Sequence, residues 1–72
     1  MEFTIQYFGT HDRLLYLESV DVNELIEALD RARMIIRKPE LLDPAEGNQR
    51  PIGYVILDSR GRQVARGYSR HA

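Results

Sequence analysis

The side chains of this 72-residue chain that could do chemistry are two histidines, a run of carboxylates, three serines and a cluster of arginines toward the C-terminal end. His11 lies among turn residues beside Asp12, and His71 is next to the last residue. A metal site or a general-base site needs several converging ligands or partners, and neither histidine has a cysteine or a suitably spaced carboxylate set to converge with. Both read as solvent-exposed side chains, and no metal ligand is expected. Glu18, Asp21, Glu24, Glu27 and Asp30 form the acidic run. Asp21 is placed to cap a following helix with Glu24 as the return half of a capping box, and Glu27 stands one turn before Arg31. These acids therefore read as helix-building charges. Ser19, Ser59 and Ser69 lack the context of a nucleophile elbow, and the glycines at 9, 47, 53, 61 and 67 are too dispersed to cradle a phosphate. The expectation is a protein that is not an enzyme, with no catalytic residue and no cofactor.

One cluster rises above that background. Arg60, Arg62, Arg66 and Arg70 fall close to Tyr54 and Tyr68 on a single hairpin. Nucleic-acid binders lay guanidinium groups against phosphate and rings against bases, and the same residue types are enriched at protein interfaces. An isoelectric point of about 6.1 is low for a nucleic-acid-binding domain and favours a protein partner. The net charge of −1 hides an asymmetry. Glu2, Asp12, Glu18, Asp21, Glu24, Glu27 and Asp30 face only Arg13 in residues 1–30, whereas Arg50, Arg60, Arg62, Arg66 and Arg70 face only Asp58 in residues 50–72. The hairpin is thus open to three readings: a solvated ribbon, an arginine-aromatic protein interface, or a nucleic-acid surface.

Residues 1–72 make one small domain, and a fold of this size buries only roughly 60% of the surface its unfolded chain exposes. The absence of cysteine removes disulfide staples and thiolate metal sites, which suits a reducing compartment. Stability must then come from the core or from a partner, and a homodimer is expected. Met1 to Thr10 alternates polar and apolar residues, and no stretch approaches the roughly 20 apolar residues of a membrane span. A soluble, cytoplasmic protein with no membrane partner is the expectation.

The rest of the chain packs around the segment from Asp21 to Arg37. Val22, Leu25, Ile26, Ala28, Leu29, Ala32 and Ile36, with the stem of Arg33, recur at helical steps, and Pro39 ends the run. Before it, Phe3, Ile5 and Tyr7 alternate with Thr4, Gln6 and Phe8, and Leu14 to Ser19 resumes an extended pattern after a turn. A loop of Thr10, His11 and Asp12 opposes Tyr7 to Leu15, Ile5 to Leu17 and Phe3 to Ser19, leaving Tyr16 and Glu18 on the other face with Phe8. After the helix, residues 39–51 have no sustained period and read as a mobile loop, or else as a recognition loop, with Leu41 and Leu42 tucked under the helix end. Ile52 to Asp58 is the strongest strand, Ser59-Arg60-Gly61 a hairpin loop with Gly61 left-handed, and Gln63 to Ser69 the return. That register groups Val55, Ala65, Leu57, Gln63, Gly53 and Gly67 on a small face. Tyr54, Arg66, Ile56, Val64, Asp58, Arg62, Ile52 and Tyr68 share a bulky one.

The matching segments Phe3 to Phe8, Glu24 to Arg37 and Tyr54 to Val64, with a closing Asp58-Ser59-Arg60-Gly61-Arg62-Gln63-Val64 hairpin, cover about half of the chain. In this layout the chain resembles small bacterial proteins of unknown function with two strands, a helix and two strands. The resemblance implies a fold and no site residue. The fold expected is α+β, ββαββ, a four-stranded mainly antiparallel sheet with one helix packed on one face. One helix leaves the second face bare, exposing Phe8, Tyr16, Tyr54, Ile56, Val64 and Tyr68 among Arg62 and Arg66, unless the bulky hairpin face is the core. The candidate interface is Tyr16, Tyr54, Arg60, Arg62, Arg66 and Tyr68. The function expected is an interaction domain that self-associates through the open sheet face or a strand edge, or binds another protein; the alternative is a nucleic-acid module on the same hairpin.

Overall fold

Alternation at Phe3, Ile5 and Tyr7 builds a strand with one wholly apolar face, and that strand becomes the middle of the sheet. The computed structural model describes residues 1–42 and 50–68. Its elements are β1 (Glu2–Phe8), β2 (Leu14–Asp21), α1 (Leu25–Arg37), β3 (Gly53–Leu57) and β4 (Gln63–Tyr68), in the sheet order β2-β1-β3-β4. Every pairing is antiparallel, so the architecture is the α+β ββαββ layout with one helix on a four-stranded sheet. Because β1 is paired on both sides, Phe3, Ile5 and Tyr7 are buried beneath α1 with Ala28, Ala32, Ile35, Tyr54 and Ile56. Small side chains at Ala28 and Ala32 let the helix backbone approach the sheet.

The helix begins later than its acidic prelude suggests. Its N-cap is Glu24, whose side chain accepts the Glu27 N–H, while Glu27 Oε2 accepts the N–H groups of Asn23 (2.8 Å) and Glu24 (3.1 Å). Asp21 is instead the last residue of β2, opposite Glu2, because the strand pairing runs that far. Glu27, spent on the cap, does not pair with Arg31. Ile26 and Arg33 face solvent, and the apolar stripe is carried by Leu25, Ala28, Leu29, Ala32, Ile35 and Ile36. The end falls where Pro39 requires it, with the Lys38 N–H donating to the Met34 carbonyl at 2.9 Å. Pro39–Leu41 forms a short 3-10 turn; Pro39 and Pro51 are buried, Leu42 packs on the core, and Leu41 is exposed. Residues 43–49 of the expected loop lie outside the described residues.

Both hairpins depart from the expected register in the same way. A three-residue loop does close each one. In the first, the Gly9 N–H donates to the Arg13 carbonyl at 2.8 Å, and Phe8 faces Leu14. In the second, the Asp58 N–H donates to the Arg62 carbonyl at 2.8 Å, the Gly61 N–H donates to the Asp58 carbonyl at 2.9 Å, Gly61 sits at φ +79°, and Leu57 faces Gln63. Immediately afterwards each returning strand takes in one extra residue, Leu15 in β2 and Val64 in β4. Tyr7 consequently faces Tyr16, Ile5 faces Glu18, Tyr54 faces Gly67 and Ile56 faces Ala65. Side chains alternate with period two, so each bulge turns the remainder of its strand over.

Candidate functional site

The bulges decide which side chains meet beneath the helix and which face water. Under α1, the register aligns Tyr16, Tyr7, Tyr54 and Gly67 in one row across the sheet, and Glu18, Ile5, Ile56 and Ala65 in the next. On the opposite, open face the rows are Leu14, Phe8, Gly53 and Tyr68; then Leu17, Gln6, Val55 and Arg66; then Ser19, Thr4, Leu57 and Gln63. Of the aromatic residues expected on the open face, Phe8 and Tyr68 are there. Tyr54 is only 8% exposed and Ile56 is wholly buried, both in the core, and Tyr16 packs against that core from the helix side. Tyr16 and Tyr54 therefore leave the candidate interface.

The arginines also separate. The Arg62 Nε donates to Asp58 Oδ2 at 3.1 Å, while Asp58 Oδ1 accepts the N–H groups of Arg60 and Arg62, each at 2.9 Å. The Arg62 N–H is the main influence holding the Asp58 carboxyl below the usual carboxylate range, with the Arg60 N–H and the Arg62 guanidinium adding to it. Arg62 is a staple of the turn, and Arg60 projects from the loop. Among the described arginines of the cluster, Arg66 alone lies on the open face. Its guanidinium donates to the Tyr68 hydroxyl and sits over the Tyr68 ring, 5.2 Å from the centroid. Arg70 and His71 lie outside the described residues, and His11 is exposed in the first loop.

Two glycines make the hairpin's rings fit. A Cβ at Gly67 would fall 2.5–2.7 Å from the Tyr54 ring and hydroxyl, and one at Gly53 would fall 3.0 Å from both the Gly67 carbonyl and the Tyr68 ring. Each tyrosine thus lies across the glycine paired with it, one on each side of the sheet. On the open side a hollow of about 220 Å³ is lined by Phe8, Ile52, Gly53, Val55, Arg66 and Tyr68.

A polar cluster absent from the sequence reading appears under the helix. Tyr7 Oη donates to Glu18 Oε2 at 2.6 Å, and Arg31 donates through Nε to Oε2 and through Nη2 to Oε1, each at 3.1 Å. Burial, reinforced by the Glu18 hydrogen bond and charge, raises the Tyr7 hydroxyl above the usual tyrosine range. The Glu18 hydrogen bond likewise raises Arg31. The three side chains tie β1, β2 and α1 together.

Among the described residues no group of His, Asp or Glu is gathered as a metal site, and no helix is long and apolar enough to cross a membrane. The chain matches no known family, curated protein or solved structure. Surface geometry carries the functional reading.

Proposed function

We propose that this is a non-enzymatic interaction domain that self-associates through the open face of its sheet. The observation that carries the reading is the clustering of Leu17, 55% exposed, and Tyr68, 60% exposed, with Leu14, Phe8 and Val55 in two adjacent rows that nothing among the described residues covers. Contiguous apolar surface of this kind on a small domain marks an interface. A second copy is favoured as the partner because the fold has no staple and gains most from burying that face against itself. A two-fold axis stacking the apolar rows leaves Glu2 and Asp21, at the far end of the face, in water and closes the assembly.

Sedimentation equilibrium over a range of concentrations tests this. The wild-type chain should dimerise, and Arg66→Ser combined with Tyr68→Ser should shift it to monomer while its circular dichroism keeps the helical signal. A wild-type monomer at high concentration, or a double variant that sediments as the wild type does, would sink the proposal. The nucleic-acid reading has less support, since Arg62 is committed to Asp58 and, among the described arginines of the cluster, only Arg66 stands on the face. Oligonucleotide binding that falls steeply with salt would restore it.

A further inference from the structure

We infer that the hollow beside Gly53 is a binding site for a small monocarboxylate with an apolar body, a function beyond self-association. The hollow measures about 220 Å³, below the roughly 300–1,000 Å³ of pockets that take drug-sized ligands, so its occupant is small. Phe8, Ile52, Val55 and Tyr68 supply apolar walls, and the charged groups lining it are Arg66 and Asp12.

Arg66 makes no ion pair with a carboxylate among the described residues. Its guanidinium is held by the Tyr68 hydroxyl and ring, so its donors are positioned before a ligand arrives. A planar guanidinium fork matches the two oxygens of a carboxylate. The apolar body of the ligand then lies along Phe8 and Val55, beside the Tyr68 ring. Asp12 sets the charge limit. It follows His11 in a left-handed backbone, with φ of 60° at His11 and 55° at Asp12, and lines the hollow. One negative charge on the ligand is answered by Arg66, whereas a second, as on phosphate or a dicarboxylate, meets repulsion from Asp12.

The test is a titration of the full, isotope-labelled chain with phenylacetate, its neutral isostere phenylacetamide, and inorganic phosphate, following backbone amide shifts at a dilution where the chain sediments as a monomer. Phenylacetate should move Gly53, Val55 and Arg66 saturably, and phenylacetamide should bind roughly tenfold more weakly because it lacks the charge-assisted pair. Arg66→Gln, at an exposed position, should leave the sheet's spectrum intact and abolish the difference between acid and amide. Equal binding of acid and amide, phosphate binding as tight as phenylacetate, or an absence of saturable shifts at the hollow would overturn the inference. Ligand and second copy compete for this face, so the two proposals are separated in the monomer: phenylacetate binding by a chain that never dimerises defeats only self-association, and a dilute monomer in which phenylacetate moves nothing at the hollow defeats only the ligand site.

Discussion

Replacing Glu18 with alanine is the sharpest perturbation of this fold. The Glu18 carboxylate is the acceptor for the Tyr7 hydroxyl at 2.6 Å, and Tyr7 is fully buried. Without that acceptor the hydroxyl is orphaned, at a cost of about 1–3 kcal/mol. Arg31, whose side chain is 36% exposed, regains water when its partner goes, so its loss adds no more than about 1 kcal/mol. The sum is about 1–4 kcal/mol, and for a domain of this size each kcal/mol lowers Tm by roughly 4–8 °C. Urea denaturation followed by far-ultraviolet circular dichroism measures it directly. A double-mutant cycle with Tyr7→Phe isolates the cause: once the hydroxyl is absent, removing Glu18 should cost only about 1 kcal/mol or less, since no buried donor is stranded. The reasoning fails if Glu18→Ala in the wild-type background stays within about 0.5 kcal/mol, the cost of an ordinary surface change. The unbulged register, with Glu18 on the open face, requires that small value.

Alkaline pH should find the same cluster. The Tyr7 hydroxyl is raised above its unfolded value of about 10, so its contribution is complete below that pH and is lost as pH climbs beyond it. Stability measured between pH 8 and 11 should fall above pH ~10 in the wild type and fall less in Tyr7→Phe; equal slopes would contradict the assignment. Gly67→Ala should destabilise the hairpin by about 1–3 kcal/mol, because the new methyl enters the Tyr54 ring. A thermal scan showing no loss would mean that the ring has room to move.

Local chemistry made much of this fold legible. Gly61 at a left-handed turn position and Asp58 beside it announced the second loop, and the structure closes it on those residues. Pro39 marked the end of the helix, and Phe3, Ile5 and Tyr7 declared the inner face of β1. The candidate site was only partly legible. Arg66 and Tyr68 lie on the open face, whereas extending each loop's register along the whole strand puts Tyr54 and Tyr16 there as well, and with the bulges those two face the helix instead. Glu18 was missed because a carboxylate on an unbulged strand belongs with the polar residues.

By itself, the order of residues determined the elements, their sequence along the chain, the lengths of the two hairpin loops and the left-handed turn at Gly61, since these depend on φ/ψ preferences and periodicities spanning only a few neighbours. Tertiary packing alone decided which faces β2 and β4 turn to the helix. A loop sets only the first cross-strand pair. Beyond it, taking in Leu15 and Val64 aligns Tyr16 with Tyr7 and Gly67 with Tyr54, fitting rings and small residues under α1 and leaving Arg66 and Tyr68 in water. That gain exists only once helix and sheet have met, which is why no local pattern announces it.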